Sequence, residues 1–73
     1  MTSQEASELV NGDRLILNQE GIDQGFLGGN WRQPNPSRYG TFIRMANSDG
    51  CIRVRRDGYA APDTWSIRYW EKD

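Results

Sequence analysis

Gly50-Cys-Ile-Arg-Val-Arg-Arg-Asp-Gly-Tyr-Ala-Ala-Pro-Asp-Thr-Trp-Ser-Ile-Arg-Tyr-Trp-Glu-Lys-Asp73 is the stretch that decides the fold. Ile52 and Val54 alternate with Arg53 and Arg55, and Trp65, Ile67 and Tyr69 alternate with Ser66, Arg68 and Trp70. A period of two is that of a half-buried strand, with apolar groups on one face and polar groups on the other. The arginines and Trp70 are thereby expected on an exposed face. Arg56-Asp-Gly-Tyr59 and Pro62-Asp63 supply the turn between the two stretches, so the segment reads as a β-hairpin unit.

Working towards the amino terminus, Tyr39-Gly-Thr-Phe-Ile-Arg-Met45 is a further strand and Asn47-Ser-Asp-Gly50 a turn joining it to the strand at 51–55. Thr41, Ile43 and Met45 are the expected core set of that strand, with Arg44 pointing outward. Arg14-Leu-Ile-Leu-Asn18 is a short apolar strand behind the Asn11-Gly-Asp13 turn. Between these strands, residues 19–38 hold Gly21, Gly25, Gly28, Gly29, Pro34 and Pro36, which disfavour a continuous helix or a central strand. A long surface loop is expected there, with a brief strand around Gly25 to Leu27 and with Asn30-Trp31-Arg32 as a tip or a lid over the core. At the start, Thr2-Ser-Gln-Glu5 has the form of a capping box. It predicts a helix of about two turns that runs to Val10 and ends at Gly12.

The expected fold is mainly β: a small antiparallel SH3-like barrel or curled sheet of four to five strands, with a short N-terminal helix or mobile arm. Residues 1–10 form the acidic helix or arm and residues 11–73 a single β domain. A chain of 73 residues buries a small core. The single Cys51 has no partner for an internal disulfide, so a reducing cytosol is the natural setting. No apolar run is long enough to span a bilayer.

Catalysis has little to work with. There is no histidine, and Cys51 is the only thiol, so the usual neutral-pH base, zinc ligands and cysteine–histidine pairs are missing. Asp57 and Asp63 are turn residues, where aspartate is favoured for backbone hydrogen bonding. The glycine-rich loop is followed by neither Gly-Lys-Ser nor Gly-Lys-Thr. No enzyme, metal or cofactor is expected.

Charge points towards contact. The net charge is −1, yet residues 1–25 carry five acids against Arg14, while residues 26–70 carry seven arginines against Asp49, Asp57 and Asp63. Eight of the nine cations are arginine, whose planar fork suits carboxylates, phosphates and aromatic rings. Two candidate contact groups follow. Glu5, Ser7, Glu8, Leu9 and Val10 make an acidic and apolar leader; Arg53, Arg55 and Arg68 with Trp70, supported by Arg56, Tyr59 and Tyr69, make a basic and aromatic face.

The order of Gly12-Asp-Arg-Leu-Ile-Leu17, a Gly/Pro loop, Gly40-Thr-Phe-Ile-Arg44, Asp49-Gly-Cys-Ile-Arg-Val54, Arg56-Asp-Gly58 and Trp65-Ser-Ile-Arg-Tyr-Trp70 resembles the SH3-like small barrels of short phage and ribosome-associated proteins. In length, acidic leader and arginine-rich barrel, the whole chain resembles the small host-RNA-polymerase-binding regulators of lytic xanthomonad phages. That resemblance implies a monomer in the host cytoplasm that binds RNA polymerase at the β′ amino-terminal region and the β flap. It implies inhibition of promoter-dependent initiation and promotion of antitermination, with no direct nucleic-acid contact required. Two alternatives stay open: a nucleic-acid-binding barrel using the arginine and aromatic face, and a structural or virion-assembly protein.

Overall fold

Five short antiparallel strands form one sheet in the computed structural model, which describes residues 1–24 and 37–73. In chain order the elements are α1 (Ser3–Ser7), β1 (Arg14–Leu17), α2 (Gln19–Asp23), β2 (Tyr39–Met45), β3 (Cys51–Arg56), β4 (Asp63–Ser66), a 3₁₀ turn (Ile67–Tyr69) and β5 (Trp70–Lys72). The strand order is β4-β3-β2-β1-β5, so consecutive strands β4 and β5 occupy opposite edges. The 3₁₀ turn carries the chain from one edge to the other across the end of the curled sheet. This is the small curled antiparallel sheet with a short N-terminal helix that the strand periodicity predicts.

The alternation in β3 is realised in full: Ile52 and Val54 are completely buried while Cys51, Arg53 and Arg55 are half-buried. The Asp-Gly turns flanking β3 place Gly50 at φ 74° and Gly58 at φ 90°, a region that L side chains enter only with strain. Leu15 and Leu17 of β1, Phe42, Ile67, Trp70 and Ala6 complete the core cluster.

The expected core set of β2 is not the one observed. Phe42, not Thr41, Ile43 or Met45, is the buried side chain of this strand, and Met45 is 44% exposed. The cause is a register shift. Phe42 pairs with Val54 but Arg44 pairs with Arg53, so Ile43 is an extra residue, a β-bulge. The strand therefore changes phase in its middle: Phe42 faces the core before the bulge, and Arg44 faces outward after it. No single period of two describes such a strand.

The expected strand from Trp65 to Trp70 is likewise two strands. Ser66 caps the intervening turn, its Oγ accepting from the Arg68 N–H at 3.4 Å. The turn breaks the alternation and swings Trp70 into the core, where it is fully buried and meets Trp65 edge-to-face at 5.5 Å. At the other end of the loop region, residues expected as irregular form α2, capped by the Asn18 side chain accepting from the Gly21 N–H at 2.9 Å. Gly21 is tolerated there because it sits against Leu17 and Tyr69, where a side chain has no room. The brief strand around Gly25 to Leu27 and the Asn30-Trp31-Arg32 tip lie outside the described residues.

α1 begins as the capping box predicts. Thr2 Oγ1 accepts from the Glu5 N–H at 3.2 Å, and Glu5 accepts from the Thr2 N–H at 2.9 Å. The helix stops at Ser7, short of Val10, and Gly12 lies in the turn that leads into β1, where its N–H donates to the Phe42 carbonyl at 2.9 Å. The segment is docked: Ala6 is buried in the core, and Met1 and Leu9 pack against it.

Candidate interaction surfaces

The two sides of the sheet carry opposite electrostatic character. On the core-facing side, α1 covers the end of the sheet near β5. The Met1 amino group donates to the carbonyls of Ile67 at 3.1 Å and Trp70 at 2.9 Å and to Glu71 Oε1 at 3.1 Å. A cavity of about 100 Å³ opens between α1 and β5, lined by Met1, Glu5, Glu8, Leu9 and Lys72. Its rim presents two carboxylates and one ammonium over an apolar floor. The Thr2 backbone N–H, with the Thr2 hydroxyl adding to it, holds the Glu5 carboxyl below the usual carboxylate range, so Glu5 is anionic at neutral pH. Ser7 Oγ donates to the Gln4 carbonyl at 2.6 Å and is engaged within the helix. Val10 is 63% exposed beyond the helix end. The leader residues Glu5, Glu8 and Leu9 are thus brought together around one groove, while Ser7 and Val10 lie outside its lining.

The expected basic and aromatic face is only partly assembled. Arg53 and Arg55 share the outward face of β3. Arg53 donates to Thr64 Oγ1 at 3.0 Å and to the Pro62 carbonyl at 3.1 Å, both uncharged acceptors. Arg68 is elsewhere, on the 3₁₀ turn, paired with Glu20 at 2.5 Å and 5.6 Å from the Tyr69 ring centre. Trp70, expected on the exposed face, is in the core because the turn shifts its phase. Arg56 follows the alternation inward and is 7% exposed; it donates through Nε to the Ser37 carbonyl at 2.5 Å and lies 5.8 Å from the Tyr59 ring centre. Burial pushes the Arg56 pKa down, the cost of desolvating a guanidinium.

Two participants were not singled out by the sequence. Arg44 stands directly opposite Arg53 across β2 and β3, placed there by the bulge. Arg14 is in the next row, level with Thr41 and Arg55, and forms a two-pronged pair with Asp57 at 2.9 and 2.6 Å. The hydrogen bond to Arg14 holds the Asp57 carboxyl below its usual range and raises the Arg14 pKa. Asp57 is accordingly a charge partner as well as a turn residue.

Comparison of the chain with protein-family models, with curated proteins and with solved structures finds no match.

Proposed function

We propose that this chain is a phage-type regulator that binds host RNA polymerase at the β′ amino-terminal region and the β flap, inhibiting promoter-dependent initiation and promoting antitermination. The reading rests on the resemblance in length, acidic leader and arginine-rich barrel. The observation that supports it is the groove between α1 and β5, where Glu5 and Glu8 flank the apolar surface of Met1 and Leu9. Such a site suits a basic segment with one apolar anchor: the carboxylates steer and align, and the buried apolar contact supplies most of the affinity. A docked helix also loses less conformational freedom on binding than a free arm. One interface of roughly 800 Å² per partner is a usual size for a specific complex, within reach of a 73-residue monomer.

The test is direct binding of the purified protein to purified xanthomonad RNA polymerase, followed by transcription from a promoter and across an intrinsic terminator. Wild type is expected to bind, to reduce promoter-dependent initiation and to increase readthrough. Glu8→Lys, an exposed change that leaves the capping box intact, is expected to weaken binding without altering thermal stability. A wild-type protein that leaves polymerase unbound would overturn the proposal.

A further inference from the structure

Arg44, Arg53 and Arg55 form a compact group on the outward side of the sheet. Arg44 and Arg53 are direct cross-strand partners, and Arg53 and Arg55 are two residues apart on one strand. Neighbouring strands lie about 4.8 Å apart, and alternate residues along a strand about 6.6 Å apart. Those separations are comparable to the spacing of successive phosphates on one nucleic-acid strand.

The group forms no direct ion pair among the described residues; the acid that feels it is Asp57, which Arg55 influences at longer range and whose direct partner is Arg14. All ten acidic side chains of the chain fall among the described residues, and the ion pairs found there are Met1–Glu71, Arg14–Asp57, Arg68–Glu20 and Lys72–Asp13. None involves Arg44, Arg53 or Arg55. The hydrogen bonds of Arg44 and Arg53 go to a hydroxyl and to backbone carbonyls, which leave the positive charge in place. Like charges directly opposite one another on a sheet are unfavourable. Here a bulge creates that opposition: in a regular ladder Ile43 would pair with Arg53, and Arg44 would fall opposite the buried Ile52 on the core side.

We infer that this face binds the phosphate backbone of single-stranded nucleic acid through Arg44, Arg53 and Arg55. The chemistry around the group favours phosphate over an acidic protein. Its immediate neighbours are the hydroxyls of Thr41 and Thr64, which are further phosphate donors. Among the described residues the central apolar anchor typical of a protein interface is missing from it: of their large exposed hydrophobic residues Val10, Tyr39 and Met45, only Tyr39 shares this face, and it stands at the far end beside Ile16. Tyr39 there offers a ring on which a base can stack. Three cations on a small curled sheet match a flexible single strand, since a rigid duplex would touch the patch at few points. The inference is independent of polymerase binding and is tested without polymerase.

The probe is a fluorescein-labelled oligouridylate of about 15 nucleotides, in the length range that small barrels cover, read by fluorescence anisotropy. With three phosphates engaged, each contributing about 0.7 to the logarithmic salt slope, affinity is expected to fall about 20-fold between about 50 and about 200 mM salt. The double variant Arg44→Gln/Arg55→Gln, which spares the Arg53 bonds to Thr64 and Pro62, is expected to lower the slope to about 0.7, with its melting curve confirming the fold. Arg68→Gln, whose charge is already paired with Glu20, is expected to bind like wild type. Absence of binding, a salt-insensitive affinity, or a double variant that matches wild type would each overturn the inference. Tighter binding of polyglutamate than of oligouridylate would overturn it in favour of an acidic protein partner.

Discussion

The α1 end and the outward arginine face differ in how their charges are held, and that difference separates structural charges from available ones. At α1, Glu5 is tied to Thr2, Glu71 to the Met1 amino group, and Asp13 to the Val10 N–H, so much of the acidic excess is also part of the packing. On the outward face, Arg44, Arg53 and Arg55 form no direct ion pair among the described residues. Perturbing the acidic end therefore risks the fold, whereas perturbing the arginines acts chiefly on the surface field. Deleting residues 3–9 illustrates the point: it removes Ala6 from the core as well as the two carboxylates, so a single charge change at Glu8 is the sharper probe of binding.

The largest expected effect is at Trp70, which the strand periodicity assigns to the basic face and the structure assigns to the core. Trp70→Ala is expected to cost about 3–5 kcal/mol, as for other buried tryptophans, read from urea unfolding. A loss below about 1 kcal/mol would mean that the ring is a surface group. Gly40→Ala is next. The added methyl carbon would stand 2.6 Å from Val54 Cγ1 and 3.2 Å from Trp70 Cη2, a contact that the packed core must move to relieve. About 1–3 kcal/mol of destabilisation is expected from the same unfolding curves.

Both cases show where local pattern stops being informative. β3 was legible because its alternation is uninterrupted and both flanking turns carry Asp-Gly. The capping box was legible because Thr2 and Glu5 act on their own helix. The phase changes in β2 and before β5 were not: an extra residue at Ile43 and a turn capped by Ser66 are settled by what lies opposite, Val54 and Arg53 in one case and Leu17 in the other. The phase change before β5 moved a candidate site residue, since Trp70 left the contact face. The one in β2 changed the core set, from Thr41, Ile43 and Met45 to Phe42, while Arg44 points outward as the sequence suggests. α2 was missed for a related reason, since Gly21 argues against a helix until Leu17 and Tyr69 are seen to need the space beside it.

At the acidic end, Thr2→Ala removes the hydroxyl of the capping box and is expected to cost about 1 kcal/mol. Amide hydrogen exchange at Glu5 and Ala6 should quicken, with β3 protected as before. Unchanged exchange in α1 would show that docking of Ala6, not the cap, holds the helix. Acid acts on the ion pair at the edge of the other face. The Asp57 carboxyl is held below its usual range by Arg14, so its contribution is complete above the unfolded value and is lost as pH falls through the lower folded one. Melting temperature should decline on the acid side of the ordinary carboxylate range, and the decline should be shallower in Asp57→Asn. Equal slopes in the two proteins would remove Arg14–Asp57 from the account.

The smallest effect discriminates most between the two regions. Arg44→Glu places a carboxylate opposite Arg53 and replaces a repulsive cross-strand pair with an attractive one. On stability alone it should be neutral or favourable, by about 0.2–1 kcal/mol, and the gain should shrink as salt is added. A charge at this position that lowers stability in its native form is explained by something other than the fold. If Arg44→Glu instead destabilises the protein, the arginine is making a structural contribution beyond its bond to the Met45 carbonyl, and the outward face resembles the α1 end after all. If it stabilises the protein while abolishing oligonucleotide binding, the cost of opposing Arg44 and Arg53 is borne for recognition, and the bulge at Ile43 is the device that creates the site.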